Sequence, residues 1–376
     1  MEVEIKEVVG KKELKAFVQF NIELYKDSPY HVPALIAEEL VTLSREKNPA
    51  FEFCEAKYFL AYGNGKIVGR IAGIINHKSN EVWNQQYLRI GFVDFIDDSE
   101  VSGKLFQAVE SWAKSRGLTA VHGPLGFTDL DHEGLLIEGF DKLATMATAY
   151  SYPYYARHFE QLGYVKDRDW FEYRITAPKE VPEKHARIAK IAMEKNGLKV
   201  VKFKNKKEIW PYAYKLFALW NKAYATLYAY SPLSDRQIEF YVKMYIPMLR
   251  LDLISLVVRE ADNEVIGLGL CIPNLSEPLR KSKGRLFPFG FIPLFRALFR
   301  KKVKIVDMMM IGVDPEYQNR GVNAIIFTDM ITEMIKLGVE SCESNPELEI
   351  NDKVQSLWEH FDACIHKKRR AYIKYL

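Results

Sequence analysis

The hydrophobic and polar positions of the first half of the chain follow two different periods. Residues 3–9 alternate as in a strand, residues 12–25 have the apolar spacing of an amphipathic helix, and a short helix follows at 34–43. Two β-rich runs within 57–75 meet at Asn64-Gly65, a pair that favours a tight hairpin turn. The remaining predicted elements of this half are a strand at 87–96, a helix that ends near Gly117, a strand near 118–122, a long connection over 123–150, a helix at 153–162 and a strand at 170–176.

The second half repeats this order of elements. Its hairpin, LISLVVREADNEVIGLGL, carries a Val-Gly pair at Gly267 that matches the Val-Gly pair at Gly69 of the first hairpin. The closing segments FEQLGY…FEY and WEHFDA…RAY correspond at almost the same separation, with Glu160 matching Glu359. The same order at a shared separation indicates a diverged internal duplication.

Two insertions separate the copies. The helix-ending glycines, Gly117 and Gly338, lie farther apart than the other matched positions. This difference requires an insertion near 273–303 in the second half and one of similar size near 123–150 in the first.

Length and composition fit two globular domains. The chain has 376 residues, of which 48% are hydrophobic and 27% charged, and this provides material for two cores. Pro178 lies in a charged stretch that separates the repeats. We therefore predict an N-terminal domain at 1–178 and a C-terminal domain at 179–376.

Charge and cysteine content narrow the class further. The net charge of +4 is small for this length, so nucleic acid is not an expected partner. The acidic start, MEVEIKEV, lacks the apolar core of a signal peptide, and no apolar run approaches the roughly 18 residues of a membrane span. The widely separated cysteines suit reduced, buried thiols in a cytoplasmic protein: Cys54, Cys271, Cys342 and Cys364.

Residues 303–335 combine a buried strand, a tight loop and a helix. The apolar run that begins at Val303 ends at Val313, and Asp314-Pro315 stops it because proline cannot donate a ladder hydrogen bond. Apolar residues then recur at helical spacing as far as Gly338, which suits a helix C-cap. Glycine in the intervening loop permits close backbone approach, and N–H groups at a helix start attract phosphate oxygens. The loop is Gln318-Asn319-Arg320-Gly321-Val322-Asn323.

This loop resembles the pyrophosphate-binding signature of the GNAT acyltransferase superfamily, Q/R-x-x-G-x-G/A, which follows a strand end of the form hydrophobic-V-x-P. Gln318 and Gly321 match the loop, and Val313 and Pro315 match the strand end. Asn323 stands where the family usually has glycine or alanine. The resemblance implies an α+β fold of two tandem GNAT-like domains, each a mixed, mainly antiparallel sheet flanked by helices.

The resemblance also implies acyl-CoA chemistry. In the family, the pantetheine arm inserts beside the central strand like an added strand, a strand N–H stabilises the oxyanion, and a base removes the amine proton. The expected donor is acetyl-CoA or another acyl-CoA, and the expected enzyme is an N-acyltransferase, with N-acetyl transfer as the first expectation. The residues assigned to the donor are Ile311, Val313, Gln318, Asn319, Arg320, Gly321, Val322, Asn323 and Asn351.

For catalysis, the resemblance points to Asp307, which stands on the central strand where several family members carry an acidic base. The alternative for Asp307 is a strand-end carboxylate that faces solvent. The family often has a tyrosine in the last helix to protonate the leaving thiolate, but Trp358 occupies that position, and indole cannot supply the proton. His360 or a neighbouring tyrosine is the candidate substitute, with packing as the alternative. Asn351 matches a pantetheine-contacting asparagine and also suits the N-cap of that helix.

The two halves differ where the donor would bind. Asp97, Asp98, Ser99 and Glu100 occupy the place in the first half that corresponds to Gln318–Gly321. Three carboxylates would repel a pyrophosphate, and Asp98 or Ser99 is better explained as an N-cap. We expect one acyl-CoA per chain, in the second half.

The acceptor is harder to identify from the sequence. Residues 210–233 are rich in tyrosine and tryptophan and precede the hairpin, where the family builds helices that cover the substrate. Tyr224, Tyr228 and Tyr230 are therefore substrate candidates, although aromatic residues at helical spacing also suit a core. The expected acceptor is a small-molecule or peptide amine, without integral membrane association.

Three polar clusters allow more than one interpretation. In residues 279–304, basic and aromatic residues alternate, and we expect a helical flap with its Phe face packed on the domain, rather than a lipid or nucleic-acid surface. Lys367–Arg370 is expected to be a solvated strand end. A polar loop without a metal is expected at Asp129, Asp131, His132 and Glu133, which lack a recognised ligand spacing.

Three classes of function remain open at this point. The first is an acyl-CoA-dependent N-acyltransferase. The second is a non-catalytic GNAT-like protein that binds acyl-CoA or another ligand, as Trp358 and Asn323 suggest. The third is a module that associates with membranes or nucleic acid through residues 279–304.

Overall fold

A computed structural model describes residues 2–376, and the first half of these follows the predicted order. The turn at Asn64-Gly65 has positive φ at both residues, as a tight hairpin turn requires. A short helix and a short strand were not predicted, at 77–82 and 135–138. The elements are β1 (Val3–Glu7), α1 (Lys11–Leu24), α2 (Ile36–Thr42), β2 (Cys54–Gly63), β3 (Lys66–Asn76), α3 (His77–Val82), β4 (Tyr87–Phe95), α4 (Ser99–Ser115), β5 (Ala120–Gly123), β6 (Leu135–Glu138), α5 (Tyr154–Gln161) and β7 (Val165–Thr176).

The second half repeats this order and contains the predicted insertion, which forms two helices between its second and third main strands. Gly338 ends the last long helix with φ of 74°, as predicted for a C-cap. The elements are α6 (Glu183–Asn196), β8 (Leu198–Val201), α7 (Trp210–Tyr224), α8 (Asp235–Tyr245), β9 (Ile254–Arg259), β10 (Val265–Pro273), α9 (Ser276–Ser282), α10 (Phe291–Phe299), β11 (Ile305–Val313), α11 (Val322–Leu337), β12 (Ser341–Ser344), β13 (Glu347–Leu348), α12 (Asp352–Trp358) and β14 (Ala363–Tyr375).

The strands form one mixed, mainly antiparallel sheet in which the two halves exchange their last strands. The order is β1-β2-β3-β4-β5-β14-β7-β12-β11-β10-β9-β8, with β6 beside β14 and β13 beside β7. Thus β7 lies next to β12 of the second half, whereas β14 lies next to β5 of the first. β7 and β14 pair with each other along their lengths at the centre. The division at residue 178 stays a prediction, since the sheet continues across it.

The repeated Val-Gly pairs have a packing role that is the same in both halves. A Cβ at Gly69 would lie 2.7 Å from a methyl group of Leu105 on α4. A Cβ at Gly267 would lie 2.8 Å from a methyl group of Val322 on α11. Real Cβ atoms do not approach other heavy atoms so closely, so glycine at each position lets the helix lie directly on the sheet.

Buried charges occupy the centre of the sheet, where β7 and β14 pair. Lys367 contacts Glu172 at 2.9 Å and Glu343 at 3.1 Å, and Arg369 also donates to Glu172. The side chains of Lys367, Arg369 and Glu172 are almost completely excluded from solvent. The expectation that residues 367–370 form a solvated strand end is therefore wrong for Lys367 and Arg369. Because strand residues alternate between faces, only Lys368 and Arg370 point outward.

Candidate active site

The central strand of the second half has an edge without a strand partner. β11 and β12 run in parallel and pair only from Ile305 to Met308 on β11. Past this point, the chain turns away at Asn345, whose side-chain amide donates to the carbonyl of Met309 at 2.9 Å. A bulge in the pairing with β10 also falls at Met309. Within the described chain, the rest of β11 is therefore paired on one side alone.

Two residues on this edge were predicted to contact the donor. The N–H of Asp314 donates to Ile266 on β10, so alternation along β11 directs the main-chain groups of Ile311 and Val313 to the opposite edge. The hydroxyl of Tyr224 donates to the carbonyl of Ile311 at 3.4 Å. Strand-like hydrogen bonding to an extended ligand is available at this edge.

The predicted phosphate loop precedes an uncapped helix start. Gly321 has φ of 82°, a conformation that favours glycine, and it occupies the N-cap position of α11. No side chain caps the N–H groups of this helix, and its first turn contains no acidic residue. Such a helix start attracts an anion through its free N–H groups and its dipole. Lys353 on α12 adds a cation here, since its ammonium group donates to Gln318 at 3.0 Å.

The corresponding helix of the first half is closed to an anion. The carboxylate of Asp98 accepts hydrogen bonds from the N–H groups of Glu100 and Val101, which confirms its N-cap role. Asp97 pairs with Arg157 at 2.6 Å. Negative charge therefore already occupies this helix start.

Aromatic side chains also fill the gap beside the central strand of the first half. Phe95 pairs with Gly69 as Val313 pairs with Gly267, so the two strand positions are equivalent. The N–H of Phe95 donates to the hydroxyl of Tyr155 at 3.0 Å. A ligand in that gap would have to displace the tyrosine.

One large cavity connects the free edge of β11 with both halves of the chain. Its volume is about 1310 Å³, and its walls are mainly apolar. Arg320 lies outside this lining and stacks over the ring of Tyr317 instead. The structure brings together eight of the nine predicted donor-binding residues in the cavity wall: Ile311, Val313, Gln318, Asn319, Gly321, Val322, Asn323 and Asn351.

The predicted substrate tyrosines occupy different positions. Tyr224 and Tyr228 line the cavity. Tyr228 is oriented by a hydrogen bond from its hydroxyl to Asp167 and by a contact with His122 at 3.0 Å. Tyr230 is buried, its hydroxyl donates to Asn221 at 2.6 Å, and it lies outside the lining that the described residues form. Tyr230 is placed as a packing residue.

Asp307 is buried rather than solvent-facing, so the expectation of an exposed strand-end carboxylate is wrong. Its Oδ1 accepts a hydrogen bond from Asn274 at 2.7 Å. Burial raises the pKa of Asp307 to about 7. As far as residues 2–376 define the cavity, its lining does not include Asp307. Its assignment as the base stays a prediction.

Sequence reasoning missed Glu347, a carboxylate that does line the cavity. Both of its carboxylate oxygens accept from the indole N–H of Trp358, at 3.0 and 2.9 Å. Burial raises the pKa of Glu347 to about 7, against the lowering effect of the Trp358 hydrogen bond. Glu347 begins β13, a strand of two residues that comes shortly after the end of β12. A segment this short has no hydrophobic periodicity, so the sequence pattern does not single out Glu347.

Two predicted residues that flank the last helix, His360 and Asn351, also line the cavity. His360 is exposed, and its ring lies 6.1 Å from that of His185. Asn351 occupies the N-cap position of α12, but its side chain makes no capping hydrogen bond. The Asn351 amide therefore remains free to contact a ligand in the cavity.

Three acidic residues form part of the wall that the first half contributes. Burial raises the pKa of Asp129 to about 7 and that of Asp131 to about 6, and it raises the pKa of Glu133 well above its usual value. Oε1 of Glu133 has no hydrogen-bond partner among the described residues. Burial, followed by the charges of Glu347 and Asp129, raises the pKa of Tyr224. Carboxylates from both halves thus converge on this tyrosine.

A search of known protein families found no profile that matches this chain. Two curated relatives match almost its whole length: protein YghO of Escherichia coli is 28% identical over 98% of this chain and 95% of the relative. The second, named bacterial ceramide synthase, from Caulobacter vibrioides, is 27% identical over 97% of this chain and 95% of the relative.

Solved structures share the architecture at low sequence identity. A tandem GNAT protein from the clavulanic acid biosynthesis pathway matches with a TM-score of 0.59 and 10% identity, over 100% of this chain and 98% of that one. A GCN5-related N-acetyltransferase from Sphaerobacter thermophilus matches with a TM-score of 0.54 and 13% identity, over 99% of this chain and 95% of that one. The repeated strand order and these full-length matches together show that the chain has the GNAT fold, in two tandem copies.

Proposed function

We propose that this protein is an acyl-CoA-dependent N-acyltransferase that acts on an amine carrying a long apolar chain. The observation that carries the proposal is the cavity of about 1310 Å³, which joins the free edge of β11 to apolar walls in both halves. Beyond the donor's pantetheine arm, a short acyl group and a small amine would leave the apolar wall of the first half without contacts. A long chain fills it and removes apolar surface from water.

The donor fits the second half of the chain. The uncapped start of α11 would hold the pyrophosphate, with Lys353 as the nearby cation, and the free edge of β11 would bind the pantetheine amides. Acyl-CoA supplies an activated thioester carbonyl. The main-chain groups of Ile311 and Val313 face the position at which this carbonyl would lie.

We assign the role of general base to Glu347. It accepts the proton that the amine nitrogen releases as the C–N bond forms and the C–S bond breaks. The sulfur leaves as a thiolate, a fair leaving group because free thiols have a pKa of about 8.5. Tyr224, whose raised pKa keeps its proton in place, would turn its hydroxyl from the Ile311 carbonyl and donate a hydrogen bond to the departing sulfur.

The first half supplies the binding site for the acceptor in this proposal. Asp129 and Glu133 lie in its wall of the cavity, where burial raises the pKa of both carboxyls, and an incoming ammonium group would favour their charged forms. The acceptor arrives as such an ammonium at neutral pH and gives its first proton to one of these carboxylates, which leaves the neutral amine that attacks the thioester carbonyl. Loss of the first-half donor site is compatible with this division of labour, because only one donor is needed per transfer.

The relatives support the choice of acceptor class. The Caulobacter vibrioides relative is named a ceramide synthase, and a ceramide is a long-chain amino alcohol acylated on nitrogen. We therefore propose long-chain amino alcohols and related amphiphilic amines as the first acceptors to test. The non-catalytic alternative keeps the same cavity but does not transfer the acyl group.

A transfer assay tests the proposal. Purified protein is incubated with acyl-CoA donors of increasing chain length and a panel of short and long amines, with thiol release and N-acyl product measured in parallel. We expect equal amounts of thiol and amide, formed only with long-chain amines. Tight acyl-CoA binding without any product would favour the non-catalytic alternative, and no acyl-CoA binding would refute the enzyme and leave only a protein that binds another ligand.

A further inference from the structure

Residues 279–304, the basic-aromatic segment, connect β10 to β11 and present two different apolar faces. The inner face is aliphatic and covers the cavity, with Leu286, Leu294 and Leu298 in its lining. The main chain of α10 is fixed at its end because Arg250 donates to the carbonyl of Arg300 at 2.7 Å. The segment is thus a packed helical flap, as predicted, but the face that packs is aliphatic.

The outer face of this segment is aromatic and exposed, so the expectation that its Phe face packs on the domain is wrong. The exposed fraction of Phe287 is 78%, and that of Phe295 is 60%. Phe291, Phe295 and Phe299 follow one another at four-residue spacing along α10 and are exposed in turn. The ring centroids of Phe295 and Phe299 are 4.5 Å apart. A contiguous exposed aromatic patch of this kind marks an interaction surface.

The surroundings of this aromatic face are strongly basic. Residues 278–306 contain nine Lys or Arg residues and no Asp or Glu. Arg280 and Lys304 pair with acidic residues outside that stretch. No ion pair within the described chain involves Arg285, Arg296, Arg300 or Lys301, and all of these side chains are exposed. Cations that no carboxylate neutralises favour an anionic partner.

We propose that the basic-aromatic segment docks the protein on an anionic lipid bilayer. The phenylalanine rings enter the boundary between headgroups and acyl chains, and the surrounding cations contact anionic headgroups. Within residues 2–376, no helix is both long and apolar enough to cross a bilayer. The docking proposed here is at the bilayer surface. The same helix covers the cavity with its inner face, so docking brings the cavity wall against the membrane.

Two other occupants fit the surface less well. In a symmetric dimer, the same patch would face its own copy and bring two unneutralised basic surfaces together. Nucleic acid would match the charge, but the aromatic rings form a ridge along one helix, the arrangement of an interfacial helix. Both alternatives are distinguishable outcomes of the test below.

The test measures co-sedimentation of the full-length protein with vesicles. Vesicles of phosphatidylcholine alone are compared with vesicles that contain phosphatidylglycerol, at low and at physiological salt. One variant carries Phe291→Ser, Phe295→Ser and Phe299→Ser, and another carries Arg296→Ser, Arg300→Ser and Lys301→Ser. The matched control carries the same charge change on exposed residues of α1, Lys11→Ser, Lys12→Ser and Lys15→Ser.

We expect salt-sensitive binding to the anionic vesicles that falls about tenfold or more in both segment variants and not in the control. Absence of vesicle binding, or binding that neither segment variant weakens, would overturn the proposal. A wild-type dimer that the phenylalanine variant dissociates in sedimentation velocity would assign the surface to a second copy. Tighter binding to duplex DNA or RNA than to vesicles would assign it to nucleic acid.

The docking proposal and the proposed reaction fail separately. The substituted side chains lie outside the cavity lining, so all three variants should keep wild-type transfer to an amine dispersed in detergent. Thermal unfolding of each variant checks that the fold is intact. Vesicle binding without transfer would refute the reaction alone, and transfer without vesicle binding would refute the docking alone.

Discussion

The indole N–H of Trp358 donates to both carboxylate oxygens of Glu347, at 3.0 and 2.9 Å. The family resemblance places a proton-donating tyrosine at position 358, and the structure shows a residue that instead orients a buried carboxylate. The candidate for acid–base chemistry is therefore Glu347 on β13 rather than a residue of the last helix. A base that is fixed in the cavity wall is compatible with turnover, although the usual acid is absent.

The first prediction concerns Glu347→Gln. The amide keeps the shape of the side chain but cannot accept the amine proton, so kcat should fall by about 10²–10⁴-fold. Acyl-CoA affinity should change little, because the proposed donor contacts lie on β11 and at the start of α11. Single-turnover kinetics and calorimetric titration with acyl-CoA measure the two quantities.

Asp307→Asn is the matched comparison, since burial raises the pKa of both carboxylates to about 7. Of these two carboxylates, Glu347 lines the cavity and Asp307 does not. If Asp307 is the base, as the family resemblance implies, the sizes of the two defects will be reversed. Equal and small defects in both variants would remove each of them from the mechanism.

The pH dependence expected of the proposed transfer follows from the raised pKa of Glu347. Burial favours the protonated acid, which cannot act as a base, so kcat/KM should rise with pH through about 7 and then level off. A profile that is flat between pH 5 and 9, and that Glu347→Gln leaves unchanged in shape, would contradict this assignment.

The same shift predicts an effect on stability. The folded pKa of Glu347 lies above its unfolded value, so the folded state binds the proton more tightly. The contribution of Glu347 to stability is therefore fully present below the unfolded pKa and is lost as the pH rises through about 7. Relative to wild type, Glu347→Gln should gain thermal stability at pH 8 and not at pH 4. An equal shift at both pH values would mean that charge burial is not the cause.

Much of the fold follows from local sequence, because the features that specify it are local. The hairpin turn at Asn64-Gly65, the end of α11 at Gly338 and the loop around Gly321 depend on a few adjacent residues. The exchange of β7 and β14 does not depend on adjacent residues. Either strand has a suitable pattern beside either neighbour, and only the pairing of distant segments decides between them.

The sequence also does not determine which face of the basic-aromatic segment packs on the domain. Phe291 and Phe295 follow a helical spacing, and so do Leu294 and Leu298. Both faces of α10 are apolar, so periodicity alone does not determine which one packs. The choice depends on the shape of the cavity that the helix covers. Glu347 was missed for a related reason, since only the folded chain places it beside Trp358.

Another prediction concerns the donor loop. Asn323→Asp puts a carboxylate in the first turn of α11 at almost constant volume, so repulsion of the pyrophosphate should weaken acyl-CoA binding by about tenfold or more. Fold stability should not fall, because an acidic residue suits a helix start. Gly321→Glu is a less clean test, since a Cβ there would lie 2.9 Å from Ala192.

Asp98→Asn is the control for the loop variant. It lies at the start of the equivalent helix in the first half, and asparagine retains the ability to cap. Calorimetric titration should give one site per chain in both variants, with affinity lowered only by Asn323→Asp. Loss of binding in Asp98→Asn alone would place the donor in the first half.

A further prediction concerns chain length. Ala147 lies in the cavity wall of the first half, and Ala147→Trp fills part of the apolar space. Each buried methylene contributes about 0.8 kcal/mol, so kcat/KM for long substrates should fall roughly fourfold for each methylene that no longer fits. Short substrates should be unaffected. Ala37→Trp, at an exposed position on α2, is the control. An unchanged chain-length profile in Ala147→Trp would show that the chain binds elsewhere.

The last prediction concerns the buried charges where the two halves exchange strands. Glu172 is fully buried between Lys367 and Arg369, and although burial alone would raise its pKa, these two cations hold the pKa of Glu172 below its usual value. Glu172→Gln leaves the cations without their shared carboxylate and should lower the free energy of unfolding by about 3–5 kcal/mol at pH 7.

Because the folded pKa of Glu172 is depressed, its contribution is present above the unfolded pKa and is lost as the pH falls through the folded value. The difference between variant and wild type should therefore shrink in strongly acidic solution. Glu138 on β6 forms an exposed ion pair with Lys368, which lies on β14 like Lys367 and Arg369. Glu138→Gln removes the carboxylate of this pair and should change the free energy of unfolding by about 1 kcal/mol or less. Urea unfolding of both variants measures the contrast. Equal losses in the two would mean that the buried charges do not hold the exchanged strands together.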